Sequence, residues 1–180
     1  RQWYEQQEFM GTIAVNVSAV QFRQNDFTDV VLRSLADTGL SPKCLELEVT
    51  ESVVMHGVES VVQKMGILEA QGIKLAIDDF GTGYSSLSYL RQFAIDRLKI
   101  DQSFVRDLPD NTDAKAIISA IVAMGHSLGL RVMAEGVETE AQARFLQDIN
   151  CAESQGYLYA KPMMPHDFEA WLKTRNLGSP

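Results

Sequence analysis

Short segments in which apolar residues occupy every second position alternate along the chain with longer segments whose apolar residues recur every three or four positions. The first pattern predicts strands and the second predicts amphipathic helices. We predict strands at Ile13–Val17, Leu45–Val49, Leu75–Ile77, Arg97–Ile100 and Arg131–Ala134, and a last short strand near Gln155–Leu158. Helices are predicted after them, near residues 27–38, 58–71, 86–93, 112–128, 140–149 and 168–173. The sequence therefore predicts six consecutive strand–helix units, with Trp3–Phe9 as the end of an earlier helix.

Strands that alternate with helices imply a parallel sheet with right-handed crossovers. Two architectures have this order, the open doubly wound sheet and the closed (β/α)8 barrel. A central strand of a doubly wound sheet is covered on both faces and should be continuously apolar. Here the apolar residues 45, 47 and 49 alternate with Glu46, Glu48 and Thr50. Because the inward face of a barrel can carry polar residues toward its mouth, we predict an α/β fold of the TIM-type (β/α)8 barrel family.

The length of the chain limits how much of such a barrel it can form. A complete barrel takes roughly 250 residues, or about 30 for each strand–helix unit. The 180 residues of this chain accommodate about six of the eight units. We interpret residues 1–180 as one domain that is incomplete at its N-terminus and lacks the first two units.

Composition narrows the classes of function. With 46% hydrophobic and 22% charged residues, the chain can bury a core and does not have the composition of a disordered protein. The net charge of -8 argues against binding to nucleic-acid polymers, which requires a basic face. No apolar run approaches the roughly 20 residues that span a bilayer. Cys44 and Cys151 lack metal-ligand spacing. We therefore expect a cytoplasmic protein with two reduced thiols and no direct membrane insertion.

The residues predicted at the carboxyl ends of the strands are almost all oxygen donors. Active sites of barrel enzymes lie at this end of the sheet. The polar residues found there are, strand by strand, Asn16, Glu48, the pair Asp78 and Asp79, Lys99 with Asp101, Glu135, and Gln155. Carboxylate and amide oxygens are the ligands of hard divalent ions such as Mg2+ or Mn2+. Because paired ions can activate a water and neutralise a phosphoryl group, the pattern favours two-metal hydrolysis.

Several of these residues also have a structural interpretation. Asn16 could bond a neighbouring loop, and Lys99 could be an ordinary surface lysine instead of a group that orients water. Asp78 and Asp79 point to opposite faces of a regular strand, so both can face one site only if the strand bends. We expect the glycines at positions 81 and 83 to supply that freedom.

Glu135 and Glu138 flank a Gly-Val pair after the fifth predicted strand. One of them is expected to bind metal, and the other could equally be the acid of a helix N-terminus. Gln155, before Gly156, is uninformative by itself. The chain has neither a Gly-x-Ser-x-Gly elbow nor a Walker-type Gly-Lys-Ser/Thr motif. The prediction of a site therefore depends on polar residues from different strands meeting at one level.

These segments together resemble the EAL family of bacterial cyclic di-GMP phosphodiesterases. The matching segments occur in family order and span nearly all of the chain. They are Asn16-Val17-Ser18, Glu48-Val49-Thr50-Glu51-Ser52, Asp78-Asp79-Phe80-Gly81-Thr82-Gly83-Tyr84-Ser85-Ser86-Leu87, Lys99-Ile100-Asp101, Ala134-Glu135-Gly136-Val137-Glu138 and Gln155-Gly156-Tyr157. The resemblance implies a barrel that hydrolyses one phosphodiester of cyclic di-GMP to give linear pGpG, with Mg2+ or Mn2+ as cofactor.

The resemblance also implies a role for each residue. One metal would be bound by Asn16, Glu48 and Asp78, and a second by Asp78, Asp79 and Glu135. Lys99 would contact the nucleophilic water and act in catalysis with Asp79 and Glu135. Asp101 and Gln155 would support the site at the substrate, and Glu138 would help to hold that substrate. Glu51 would anchor the loop Phe80–Leu87, through which a homodimer is expected.

One departure from the family pattern affects function. The Glu-Ala-Leu signature, whose glutamate is a further metal ligand, is absent, and Glu169-Ala170-Trp171-Leu172 lies in the last predicted helix. We expect an enzyme in the parent protein and weak activity with self-association in the isolated chain. Two alternatives stay open: a receptor that binds cyclic di-GMP without cleaving it, and a truncated assembly module whose exposed strand edges pair with another chain.

Overall fold

Six parallel strands form one sheet in a computed structural model that describes residues 11–54, 57–83 and 87–176. The strands are β1 (Ile13–Val17), β2 (Leu45–Thr50), β3 (Lys74–Phe80), β4 (Arg97–Ile100), β5 (Arg131–Ala134) and β6 (Glu153–Ser154). Each strand lies beside its neighbours in sequence, from β1 to β6 without a reversal. A doubly wound sheet reverses its strand order at a switch point. The sequential order confirms the predicted α/β fold, as a partial barrel of the TIM type.

Helices connect successive strands. The α-helices that the structure describes are α1 (Ala19–Arg23), α2 (Phe27–Thr38), α3 (Glu51–Val54), α4 (Val58–Ala70), α5 (Leu87–Leu90), α6 (Gln102–Arg106), α7 (Thr112–Ser127), α8 (Glu140–Asp148) and α9 (Pro165–Asn176). A short 3-10 helix covers Pro42–Cys44. The sequence pattern missed α1, α3 and α6, because four or five residues are too few for a helical period to show. The predicted helix Trp3–Phe9 and residue Ser86 lie outside the described residues.

The last predicted strand, near Gln155–Leu158, is present, but it lies earlier in the chain, at Glu153–Ser154. The strand β6 ends at Ser154, and the next residues turn across the end of β5. The backbone amide of Gln155 donates to Ala134 O (2.9 Å), and that of Leu158 donates to Val137 O (3.0 Å). These residues pack tightly against the segment after β5 and do not continue the hydrogen-bond ladder of the sheet. The local pattern of apolar residues does not reveal this difference.

The two faces of the sheet differ in chemistry. Apolar side chains on one face are buried under the helices, and the largest of them include Leu75, Ile77, Leu98 and Ile100 from the strands and Met65, Leu68, Ile118 and Leu146 from α4, α7 and α8. The other face carries Glu46, Glu48 and Lys99, which are buried as well. The alternation of apolar and charged residues in the strands therefore reflects a helix-covered face and a polar barrel interior.

Within the described residues β1 is an edge strand, paired to β2 alone. Ala14, Val15 and Asn16 are exposed there, although Val17 is buried. In the same part of the chain, the structure contains no helix that combines the length and the apolarity needed to cross a bilayer.

Candidate metal centre and substrate cleft

Lys99 lies at the centre of a group of carboxylates at the carboxyl edge of the sheet. Its side chain is only 3% exposed, and its Nζ atom lies 2.7 Å from Glu48 Oε2, 3.1 Å from Asp78 Oδ1 and 2.7 Å from Glu135 Oε1. Burial alone would lower the pKa of Lys99, but the hydrogen bonds to Glu135 and Glu48 and the charge of Asp78 outweigh it and raise the pKa. The ammonium group therefore stays charged among three acids from neighbouring strands.

Asp78 and Asp79 both reach this edge because β3 is irregular there. Ile77 pairs with Leu98 and Phe80 pairs with Ile100. Between these pairs β3 has two residues, whereas β4 has one. Such an extra residue is a β-bulge, which bends the strand. The irregular backbone lies at Asp79 itself, whose φ is 54°, a left-handed conformation uncommon for a residue with a side chain. The predicted bend is present, but it begins before Gly81.

The carboxyl group of Asp79 lies close to two other acids, Asp78 and Asp101. Burial raises the pKa of Asp79, and the charge of Asp78 and a hydrogen bond with the carboxyl group of Asp101 raise it further. Burial would also raise the pKa of Asp101, but hydrogen bonds from Ser103 and from Asp79 lower it overall. Asp101 is the N-cap of α6 and accepts a 2.8 Å hydrogen bond from Ser103 N. Asp101 therefore links the acid cluster to the start of α6.

Asn16 extends the cluster to β1. Its side-chain amide lies 3.2 Å from Asp78 Oδ2 and 3.2 Å from Glu48 Oε2. With the NH2 group toward these carboxylates, the amide donates to both. Rotation of the amide by half a turn would present its oxygen to a cation held between the same two carboxylates.

Glu135 and Gln155 meet beside Lys99. Gln155 Nε2 donates a 2.9 Å hydrogen bond to Glu135 Oε1, the atom that also accepts from Lys99. Burial raises the pKa of Glu135, although the hydrogen bond and charge of Lys99 oppose that shift. Gln155 thus orients one carboxylate of the cluster through a direct contact.

The donor set fits a hard divalent cation. Carboxylate oxygens of Asp78, Asp79 and Glu135 all lie within 4.8 Å of one another, close enough to share one ion. The pKa values of Asp79 and Glu135 are raised chiefly by burial, and a bound cation would offset that cost of holding them ionised. Asn16, Glu48 and Asp78 form a second group of oxygen donors around the shared Asp78.

Glu51 lies below the loop that follows β3. Its side chain is almost fully buried, and Oε2 accepts hydrogen bonds from Gly81 N (2.9 Å) and Gly83 N (3.3 Å). A Cβ atom at Gly83 would lie 2.7 Å from Glu51 Oε1, so the backbone passes too close for a larger residue. The carboxylate therefore holds the start of the loop, whose residues Tyr84, Ser85 and Ser86 lie outside the described residues.

A cleft of about 810 Å3 opens beside the acid cluster. Its polar wall includes Glu135, Glu138 and Gln155, so the cleft is continuous with the cluster. Its apolar wall includes Met163, Phe168 and Trp171, and the last two rings stack with centroids 5.9 Å apart. A flat aromatic group with a polar edge would match both walls.

Two groups of residues around the site were not singled out from the sequence. Arg97 makes ion pairs with the fully buried Glu46 and with Glu153 Oε2, the second at 2.7 Å. The buried Gln142 donates from Nε2 to Val105 O (3.1 Å) and accepts from the backbone amides of Glu138 and Thr139. The inward position of Arg97 in β4 is a signal for the first group. The Thr-x-x-Gln spacing of Thr139 and Gln142 is a sequence signal for a capping box, but the bond to Val105 joins segments that are distant in sequence and leaves no such signal.

Comparison with known proteins gives a consistent family assignment. The bifunctional diguanylate cyclase/cyclic di-GMP phosphodiesterase MucR of Pseudomonas aeruginosa is 45% identical over 163 residues, covering 91% of this chain and 24% of that protein. The solved structure of the PaMucR phosphodiesterase with c-di-GMP superposes with a TM-score of 0.90 at 43% identity, covering 93% of this chain and 68% of that one. The manganese and c-di-GMP complex of Klebsiella pneumoniae BlrP1 has a TM-score of 0.77 at 36% identity, covering 84% and 39%.

The chain spans about a quarter or less of the length of the curated relatives it matches. The family model described as EAL domain matches residues 1–162, which is most of the sequence. The motifs at the carboxyl edge, the order of the strands and this match agree, and the chain belongs to the EAL domain family.

Proposed function

We propose that this chain is the catalytic part of a metal-dependent phosphodiesterase that hydrolyses cyclic di-GMP to linear pGpG. The observation that carries the proposal is the convergence of Asp78, Asp79 and Glu135 within 4.8 Å, beside the buried cation of Lys99. Relatives in the same family are named cyclic di-GMP phosphodiesterases, and two solved neighbours contain that nucleotide. The proposed parent acts in bacterial second-messenger signalling in the cytoplasm.

The residues of the cluster have distinct proposed roles. Asn16, Glu48 and Asp78 hold one Mg2+ or Mn2+, and Asp78, Asp79 and Glu135 hold a second. Divalent ions bound there supply activation of a water and neutralisation of the phosphodiester charge. The site lies at the carboxyl edge of a TIM-type sheet, where barrel enzymes place their chemistry.

Lys99 holds three of these acids close together. With three carboxylate oxygens within 3.1 Å, its ammonium offsets their mutual repulsion. It is also positioned to orient the attacking water at the phosphodiester, and its raised pKa means that it acts as a cation and not as a base. Gln155 and Asp101 fix the orientations of Glu135 and Asp79, while Glu138 contacts the substrate in the cleft.

The proposal extends to assembly. Glu51 anchors the loop Phe80–Leu87, and this loop supports a homodimer and couples it to the acids of β3. Oligomeric state is measured by sedimentation of the parent protein, where a strict monomer at all concentrations would contradict the dimer.

A cyclic di-GMP receptor without hydrolytic activity is a second candidate. It is favoured by the ion pairs of Lys99, since one protein cation already neutralises Glu48, Asp78 and Glu135 in part. The two candidates differ in their need for metal. Calorimetry in the presence of a chelator separates them, because a receptor of this kind binds the nucleotide without divalent ions.

Hydrolysis is tested with the parent protein, cyclic di-GMP and either Mg2+ or Mn2+, and pGpG is quantified by chromatography. Replacing the shared ligand in Asp78→Asn is expected to lower kcat at least a hundredfold, on the order of the loss for a metal-site carboxylate. The matched control is Asp148→Asn, which removes an exposed carboxylate on α8 and should leave turnover unchanged. Undiminished turnover in a chelator, or in Asp78→Asn, would refute the metal-dependent mechanism.

A further inference from the structure

Gln102 lines the cleft, and its side-chain amide takes no part in the contacts described above. It is the first residue of α6, and its exposed side chain lines the cleft together with Glu135, Glu138 and Gln155. It also lines a smaller cavity of about 240 Å3 that shares Glu138 with the cleft. Within the part of the chain that the structure describes, this side-chain amide has no hydrogen-bond partner. One acceptor and two donors are therefore available to a ligand.

The position of Gln102 is fixed by close contact with the segment after β5. Gly136 has a φ of 71°, and a Cβ atom there would lie 2.7 Å from Gln102 Cβ. The backbone of Gly136 thus packs directly against the base of the Gln102 side chain. Gln102 Oε1 would lie 3.5 Å from the same Cβ atom, so the amide lies over Gly136, which lines both the cleft and the smaller cavity.

Gln142 joins α6, the helix that begins at Gln102, to the backbone of Glu138. Its Oε1 atom accepts from Glu138 N (2.8 Å), and its Nε2 atom donates to Val105 O (3.1 Å) in α6. Gln142 is 5% exposed, so water does not compete for these bonds. The element that carries Gln102 and the loop that carries Glu138 are therefore held at a fixed separation before any ligand binds.

We propose that Gln102 and Glu138 together read the polar edge of a guanine base in this cleft, which rests on the proposed function above. The carboxylate of Glu138 accepts from the N1–H and 2-amino groups of guanine, and the amide NH2 of Gln102 donates to O6. Adenine reverses this pattern, since its N1 is an acceptor and its 6-position a donor. The stacked rings of Phe168 and Trp171 provide an apolar wall for the base.

The test is equilibrium binding of cyclic di-GMP and cyclic di-AMP to the parent protein, measured by calorimetry with Ca2+ present. We expect Gln102→Ala to weaken cyclic di-GMP binding about tenfold, the effect of one hydrogen bond, and to leave cyclic di-AMP binding unchanged. Gln102→Glu retains the shape but sets a carboxylate against O6, so about a hundredfold loss is expected for cyclic di-GMP. The matched control is Gln147→Ala, which removes an exposed amide on α8.

The outcomes separate this inference from the proposed hydrolysis. A selective loss of cyclic di-GMP binding in both Gln102 variants, with unfolding midpoints unchanged, supports a specificity-determining role. Wild-type binding of cyclic di-GMP that persists undiminished in Gln102→Ala overturns the role of Gln102 and leaves the proposed hydrolysis intact. Absence of cyclic di-GMP binding by the wild type overturns both.

Discussion

At the carboxyl edge of the sheet, Lys99 and Asp79 are held by contacts with neighbouring acids. Lys99 is buried, yet each of its three partners is an acid within 3.1 Å, so the charge is compensated where it would otherwise be costly. Asp79 adopts a left-handed backbone conformation that directs a second carboxylate to the same edge. Backbone strain of this kind persists only where surrounding contacts stabilise it, and here the bulge in β3 and the hydrogen bond to Asp101 do so.

Gly156 lies where the backbone of Val137 leaves no room for a side chain. A Cβ atom at this position would lie 2.2 Å from Val137 O and 2.3 Å from Val137 N. Because both atoms belong to the backbone, they cannot turn away. We expect Gly156→Ala to reduce the free energy of unfolding by about 3 kcal/mol or more, measured by urea denaturation of the parent protein.

The control for this substitution is Gly66→Ala in α4, where a Cβ atom meets nothing within 4 Å. That change should be neutral or stabilise by up to about 1 kcal/mol, because alanine favours helix. Equal unfolding midpoints for the two variants would contradict the close approach at Gly156.

The two thiols lie in different environments, and the sequence does not reveal this difference. Cys151 is buried, and its single S–H lies within reach of two carbonyl oxygens, Val132 O at 3.6 Å and Glu153 O at 3.5 Å from Sγ, while Cys44 is partly exposed. Burial raises the pKa of Cys151 to about 11.

At pH 8, a thiol with that pKa is ionised in only about one molecule in a thousand. We therefore expect iodoacetamide to modify Cys44 first in the folded protein and Cys151 only after unfolding, as followed by mass spectrometry of peptides. Modification of both thiols at similar rates in the native state would show that Cys151 is accessible.

At the scale of elements, short connections and side-chain caps fix the relative positions of helices around the cleft. The predicted strands β1, β4 and β5 have the observed bounds, because alternation in four or five residues is a local property of the chain. Helix α8 begins at a capping box formed by Thr139 and Gln142. Gln142 also donates a hydrogen bond to the carbonyl oxygen of Val105 in α6, which is 37 residues away in the sequence.

Loss of Gln142 should loosen this junction. The variant Gln142→Ala leaves the backbone amide of Glu138 and the carbonyl of Val105 without their partner, which is expected to cost about 2 kcal/mol of unfolding free energy. Cyclic di-GMP affinity should fall as well, because the two walls of the cleft lose their connection. Thermal unfolding and calorimetry measure the two effects, and Arg144→Ala on the exposed face of α8 is the control. No change in unfolding would show that water replaces these bonds at no cost.

At the scale of the whole molecule, charged residues fill the barrel interior in two successive levels. Glu48 and Lys99 occupy the level of the acid cluster, and Glu46 and Arg97 lie two residues earlier on the same strands. Glu153 and Arg131 extend the lower level toward solvent. Burial raises the pKa of Glu46, although Arg97 opposes that shift. The lower level is thus occupied by ion pairs, and the upper level contains the acid cluster.

Removing the ion pair of Arg97 and Glu46 in the lower level should destabilise the fold and leave the acid cluster in place. Arg97→Met leaves the carboxylate of Glu46, which is 0% exposed, without its nearest cation, and we expect a loss of about 3 kcal/mol or more in unfolding free energy. The double variant Glu46→Leu/Arg97→Met should recover most of this loss, because apolar residues can replace a buried ion pair. Chemical denaturation measures both; a double variant as unstable as Arg97→Met would contradict this account.

The sequence by itself determined the order of strand–helix units, the alternation of charged and apolar residues in the strands, and the set of motifs that marks the EAL domain family. These follow from local backbone geometry, since side chains two residues apart share a face of a strand wherever that strand lies. Only the tertiary structure decided that Lys99 is surrounded by three acids, that Asp79 turns into the site through a left-handed backbone, and that Gln142 joins α6 to the loop before α8. Each of these depends on atoms that are distant in sequence and become neighbours only when the strands assemble.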